Sequence, residues 1–170
     1  KLSPQYHALS RPDTVEAEAI ARLLTIARMA KDAPVYIVHL STKKGLDAIR
    51  EARNRGQKNI YVETCPQYLV LDESCYDKED ALKYIMSPPL RNVSDQEALW
   101  QGLSNGEIQV VATDHCPFHY YVEKQRGKDD FTACPNGAPG VEERLSILYG
   151  EGVAKNRMTL EQFVKVTAEN

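Results

Sequence analysis

The stretch Ile108-Gln109-Val110-Val111-Ala112-Thr113-Asp114-His115-Cys116-Pro117-Phe118 joins a short apolar run to a cluster of polar, metal-competent side chains. Lying between Gly106 and Pro117, the run reads as a strand buried on both faces. Parallel α/β folds build active sites this way, because the strand fixes a residue and the following loop exposes it. Asp114 is therefore the first candidate for chemistry; the competing reading is a carboxylate that caps a turn before Pro117. The same pattern occurs twice more. Val35-Tyr36-Ile37-Val38, read as a wholly buried strand, runs into His39, and Asn59-Ile60-Tyr61-Val62 runs into Glu63-Thr64-Cys65-Pro66. Neutral imidazole is the commonest metal ligand, and a strand end preorganises it. His39 and Asp114 at matching strand ends suit Zn2+ or a similar cation, which would polarise a carbonyl and acidify water. Taken singly, His39 reads more readily as a hydrogen-bonded core histidine than as a ligand, and it is Asp114 at the matching strand end that turns the reading toward a ligand.

The remaining polar residues divide by context. Glu63 could supply a catalytic carboxylate and Cys65 a thiol, but no base at a defined spacing accompanies Cys65, which favours a structural role. Ser87 stands before two prolines, and Asn136-Gly137 lies in another turn. Backbone groups held by Pro and Gly geometry could hydrogen-bond a substrate amide, although both places also read as plain turns. His115 and His119 read as surface or supporting histidines, and nothing in its spacing marks His7 as a ligand.

The elements that must position these residues follow a βα repeat. Lys1 to Pro12 has no helical period and reads as a loop. Asp13-Thr14 open a helix that runs to about Met29, with Glu16 and Glu18 near its positive end. Ser41-Thr42 cap a second helix, which Gly56 stops. Tyr68 to Leu71 reads as a short strand extension and Asp77 to Tyr84 as helical; two adjacent prolines make residues 86–91 a loop. Ser94 caps a helix ending at Asn105-Gly106, before the Ile108 strand. A long polar loop spans Pro117 to Pro139. Two helices follow, Val141 to about Tyr149 and, after a Thr159 cap, Leu160 to Ala168. Strand, helix, strand, helix, strand with short connections means a parallel sheet, either open and doubly wound or part of a (β/α)8 barrel. No GxGxxG or GxxxxGK[ST] follows any strand, which lowers a nucleotide-binding reading. A complete barrel typically needs ~250 residues, and only three convincing strands are present, so the chain is expected to be a portion of a barrel.

Composition is that of an ordinary globular protein: 170 residues, 42% hydrophobic and 26% charged, with a net charge of −3. No basic block exceeds Lys43-Lys44, so neither nucleic acid nor an anionic membrane is indicated. No apolar run approaches the ~20 residues of a membrane helix. The N-terminal residues lack the apolar core of a signal peptide. Four cysteines without a CxxC pair read as reduced thiols in a cytoplasmic protein.

Taken together, YHALSRP at 6–12, VYIVHLS at 35–41, YVETCPQYLVLD at 61–72, MSPPLR at 86–91, ATDHCPF at 112–118 and DFTACPNGAPGVEER at 130–144 resemble the dihydropyrimidinase and hydantoinase family of the amidohydrolase superfamily. The match runs in order through essentially the whole chain. The resemblance implies a TIM barrel of the metal-dependent hydrolase type, of which residues 1–170 form a partial catalytic domain holding the last strands and helices. It also implies a two-metal centre, usually Zn2+, in a homo-oligomer, a tetramer, that hydrolyses small cyclic imides or ureides. Carried over by motif, His39 looks like a metal ligand at the end of the sixth strand. Asp114 looks like the eighth-strand aspartate that binds the other metal and shuttles a proton. Ser87 and Asn136 look like the positions whose main-chain groups hold the substrate's amide edge. The family's first-strand HxH pair, carboxylated lysine and fifth-strand histidine have no counterpart here, so this chain alone is not expected to assemble the centre. Allantoinase, dihydroorotase and a non-catalytic scaffold resembling the collapsin response mediator proteins are the neighbouring alternatives.

Overall fold

The computed structural model describes residues 2–170. Three parallel strands, β1 (Val35–Ile37), β2 (Ile60–Thr64) and β3 (Val110–Val111), stand in the order β1-β2-β3. Val35 pairs with Ile60, and Glu63 with Val110. Between strands run α3 (Lys43–Asn54), α4 (Pro66–Val70) and α5 (Val93–Ser104). Ahead of them lie α1 (Gln5–Leu9) and α2 (Asp13–Met29), and after them α6 (Arg144–Ile147) and α7 (Leu160–Val164).

Local chemistry sets these boundaries. The Thr42 hydroxyl accepts from Gly45 N–H and caps α3, and the Asn92 side chain accepts from Asp95 N–H and caps α5. Thr159 and Gln162 form a reciprocal capping box on α7. Gly56 and Gly106, at φ +96° and +73°, turn the chain after α3 and α5, a conformation that costs glycine little.

The sheet is covered on one face. Val35, Ile37, Ile60, Val62 and Val111 are buried in one cluster with Leu24, Leu46, Ile49, Leu99 and Leu103 from the helices. Fully burying such a side chain is worth roughly 1.5–3 kcal/mol. The opposite face carries Tyr36, Val38 and Tyr61, each about half exposed at 47%, 47% and 51%. The strands expected to be buried on both faces are thus buried on one, because among the described residues no second layer covers the other.

Several local expectations are corrected. Residues 5–9, read as loop, form α1, and Tyr68 to Val70 of the expected strand extension Tyr68 to Leu71 belong instead to α4, with Pro66 in its first turn. In place of one helix from Asp77 to Tyr84, a 3-10 turn over Glu73–Asp77 ends where that segment begins and a second spans Ala81–Tyr84. The cap of α5 is Asn92, two residues before Ser94. The 117–139 loop contains 3-10 turns at Lys124–Gly127 and Phe131–Ala133, and both closing helices relax into π-helical turns. No described helix is long and apolar enough to cross a membrane.

Candidate active site at the strand ends

Parallel register places the ends of all three strands on one edge of the sheet. His39 follows β1 by two residues and Asp114 follows β3 by three. Both adopt left-handed backbone conformations, at φ +40° and +50°. Non-glycine residues rarely do this, and the conformation persists only where surrounding structure enforces it. Here the enforcement is visible. Around His39, Leu40 N–H donates to Glu63 O at 2.8 Å, and the Thr64 hydroxyl donates to Leu40 O at 2.7 Å. Around Asp114, Ala112 N–H donates to Thr64 O at 3.0 Å and Cys116 N–H to Ala138 O at 3.0 Å. Gln67 Nε2 holds Thr113 O at 3.4 Å. The two candidate ligands are thus the residues turned out of their strands by a fixed frame.

Glu63 and Cys65 belong to that frame. Tyr36 Oη donates to Glu63 Oε2 at 2.7 Å, and His39 N–H reaches Glu63 Oε1 at 3.4 Å, so the carboxylate braces β1 against β2. Burial, with the neighbouring Glu63 carboxylate, pushes the Tyr36 phenol well above its usual range. Burial, then the charges of Glu63 and Asp114, does the same to the Cys65 thiol, which stays protonated and unreactive. His115 Nδ1 accepts from Gly140 N–H and Val141 N–H at 3.2 and 3.3 Å. These two bonds use Nδ1 as the acceptor and tie the Asp114 loop to the 136–141 loop. His119 is exposed, and its N–H donates to Glu123.

The structure brings Ser87 and Asn136 together across 49 residues of sequence: Ser87 Oγ donates to Asn136 Oδ1 at 3.1 Å. The Ser87 loop, which contains a cis Ser87-Pro88 peptide bond, is held from four sides. Lys124 Nζ donates to Ile85 O at 2.6 Å, His7 Nε2 to Met86 O at 2.7 Å and Tyr68 Oη to Pro88 O at 2.9 Å, while Tyr76 Oη accepts from Leu90 N–H at 2.8 Å. Among the described residues, no hydrogen bond engages the main-chain N–H or carbonyl of Ser87 or of Asn136. A loop whose flanking carbonyls are all held, while its central peptide groups stay free, is preorganised to receive a hydrogen-bonding ligand.

His7 and Lys124 went unmarked in the sequence. A lysine in a polar loop ordinarily reads as solvated, and a histidine beside prolines as surface. Yet His7 is 1% exposed, edge-on to the Tyr76 and Phe131 rings. Burial holds its imidazole below the usual pKa, and Arg11 Nη1 lies 3.2 Å from Nδ1, so Nε2 carries the proton given to Met86. The same burial signal, unreadable from residue type, marks Lys124.

An imidazole and a carboxylate are donor types that zinc accepts. Among the described residues, however, no group of three or more His, Cys, Asp or Glu side chains comes together to hold a cation. His39 and Asp114 are at most part of a ligand set, and the remaining ligands would have to come from elsewhere.

Parallel strands with backing helices and an imidazole and a carboxylate turned out at their ends define a sector of a (β/α)8 barrel of the hydrolase type. The comparisons agree. The chain is 56% identical over 166 residues to a D-phenylhydantoinase of Escherichia coli, a match that takes in 98% of this chain and 36% of that protein. It superposes on the dihydropyrimidinase of Brevibacillus agri with a TM-score of 0.94 and 46% identity, covering 97% of this chain and 36% of the other. On the L-hydantoinase of Arthrobacter aurescens the TM-score is 0.81, at 33% identity and 95% and 35% coverage. No family model matches the chain. The chain is homologous to these hydantoinases and to the dihydropyrimidinase, and it spans about a third (36%) of the length of the curated relatives it matches.

Proposed function

We propose that this chain supplies the part of a cyclic amidohydrolase that grips the substrate's amide edge and handles its proton. Residues 1–170 are, on this reading, a partial catalytic domain. The reaction opens the ring of a dihydropyrimidine or 5-substituted hydantoin: water adds to a ring carbonyl, the C–N bond breaks, and an N-carbamoyl amino acid results. The observation that carries the reading is the Ser87–Asn136 pair, two free peptide segments joined at 3.1 Å. A cyclic ureide presents alternating N–H and C=O groups along one edge, which such a pair of segments can match.

The chain's residues have separate tasks. Main-chain groups of Ser87 and Asn136 orient the ring. Asp114, exposed on its strained turn, takes a proton from the attacking water and passes it to the leaving nitrogen. His39 and Asp114 serve as ligands in a two-metal zinc centre completed by groups outside these residues. When bound, the metal polarises the carbonyl and acidifies water. The free cysteines accord with a cytoplasmic protein, and the family resemblance with a homotetramer. Ring opening of dihydrouracil and hydantoin by the complete protein, followed in the ultraviolet, tests the reading. Turnover with bound zinc is expected; a zinc-loaded protein that opens neither ring overturns it in favour of a non-catalytic scaffold.

A further inference from the structure

We propose that Lys124 is a positioning residue that sets the spacing between the Ser87 and Asn136 main chains, and through it the grip on the substrate's amide edge. The inference rests on the function proposed above and deepens it. Lys124 lies in the segment after β3, far in sequence from Ser87, and is 3% exposed. Its ammonium donates to Ile85 O at 2.6 Å and to Pro135 O at 2.9 Å. Ile85 stands two residues before Ser87, and Pro135 immediately before Asn136. The third direction faces the Phe118 ring, 5.7 Å from Nζ to the centroid. Gly137 N–H, one residue beyond Asn136, also donates to Ile85 O, at 3.1 Å. One carbonyl therefore receives both the lysine and the opposite loop. Together with Ser87 Oγ to Asn136 Oδ1, these bonds stitch the two loops into one unit with Lys124 at its centre.

The chemistry of the site favours positioning over simple packing. Among the described residues Lys124 makes no ion pair, and burying an ammonium without a carboxylate is costly. A methionine or leucine would fill the same volume without that cost. An ammonium adds three donors directed from one point, so two carbonyls from different loops are held at a fixed separation. Burial holds the lysine below its usual pKa, which is the penalty that its hydrogen bonds to the two carbonyls offset.

The test uses the complete protein with zinc bound, comparing Lys124→Met, which keeps the stem and removes all donors, with Lys124→Gln, which keeps one amide donor. Hydrogen–deuterium exchange reads the loops, and steady-state kinetics on dihydrouracil or hydantoin reads the grip. Removing the charge-assisted hydrogen bonds that fix the two loops proposed to hold the substrate is expected to raise KM at least about tenfold, with a smaller change in kcat. The Gln variant is expected to fall between. Residues 85–90 and 134–140 should exchange faster together, with α3 unchanged and zinc content equal to wild type. Unchanged KM with unchanged exchange would overturn the proposal. So would faster exchange spread equally over α3, since that is what a purely structural role would produce. If Lys124→Met does not fold, the Gln variant decides by the same two readouts. If the wild type opens neither ring, the functional reading fails, and the paired exchange of the two loops still decides the role of Lys124.

Discussion

Replacing Gly137 by alanine should cost far more than the loss of a hydrogen atom suggests. Gly137 sits at φ +150°, a region that L side chains rarely adopt, and forcing a side chain there costs of order 1–3 kcal/mol. An alanine Cβ would also lie 2.3 Å from Cys116 O and 2.9 Å from Cys116 Cβ. A backbone oxygen cannot swing aside as a side-chain tip can. Relief requires shifting the Cys116–Ala138 hydrogen bond or the one from Gly137 N–H to Ile85 O, and such overpacking typically costs about 1–3 kcal/mol more. The sum, about 2–6 kcal/mol, compares with a total stability of ~5–15 kcal/mol for a typical domain. Gly106 supplies the control. It too has positive φ, +73°, but nothing lies within 4 Å of its notional Cβ, so Gly106→Ala should cost only the conformational part, about 1–2 kcal/mol. Urea unfolding of the complete protein measures both. If Gly137→Ala were no more destabilising than Gly106→Ala, the close approach of the Asp114 and Asn136 loops would not be the constraint argued here.

Asp114→Asn in the complete protein keeps the side chain's size and one ligating oxygen, so zinc should largely stay while kcat falls at least ~10²-fold; near-normal turnover at full metal would return Asp114 to a turn-capping role. His39→Ala should lose metal first and regain some activity in added zinc, as followed by metal content and kcat on the same preparation. The 170-residue chain by itself should neither retain two zinc ions after dialysis nor open hydantoin; two equivalents with turnover would show His115 or His119 completing a centre. Because β1 and β3 each leave one edge unpaired and Tyr36, Val38 and Tyr61 are half exposed, the same chain should self-associate, whereas a monomer with a sharp cooperative melt would count against that. His7 is protonated less readily when folded than when unfolded, so the unfolded chain binds the extra proton first. Stability should therefore be fully present above the ordinary histidine pKa of 6.5 and decline as pH falls from there toward the depressed folded value; His7→Gln should flatten that decline in denaturant midpoints taken across pH.

The sequence made the fold class legible because its strongest signals are local. β-branched runs between capped helices specify parallel βα units without reference to any distant residue. The same locality explains the errors. The apolar run Tyr68 to Leu71 reads locally as a strand extension, but proline is welcome in a first helical turn, and the chain continues from Pro66 into α4. Residues 77–84 carry helical composition, yet the chain here makes two short 3-10 turns, one ending at Asp77 and one over Ala81–Tyr84, that bury Cys75, Tyr76, Ala81 and Leu82. Which face of a strand is buried is not a local property at all. Val38 and Tyr36 look as apolar as Val35 and Ile37, and only the presence of a covering layer separates them.

The candidate site divides along the same line. His39 and Asp114 are legible because a strand end is a local pattern, and their left-handed backbone accords with residues set apart from their strands. The bond between Ser87 and Asn136, and the buried Lys124 and His7 that hold the carbonyls flanking them, involve partners 11 to 79 residues apart. No spacing rule reaches that far, and each residue taken singly is ordinary in a polar loop. What betrays them is a cost: a buried ammonium without a counter-ion and a buried imidazole are unfavourable unless their donors are needed. Those donors go to carbonyls within two residues of Ser87 or Asn136, while among the described residues the peptide groups of Ser87 and Asn136 have no hydrogen-bond partner. Side chains hold main chain here, and on the proposed function the main chain left over is what would meet the substrate. A lysine or histidine buried against carbonyls beside free peptide groups is therefore the feature to seek when a site binds through its backbone.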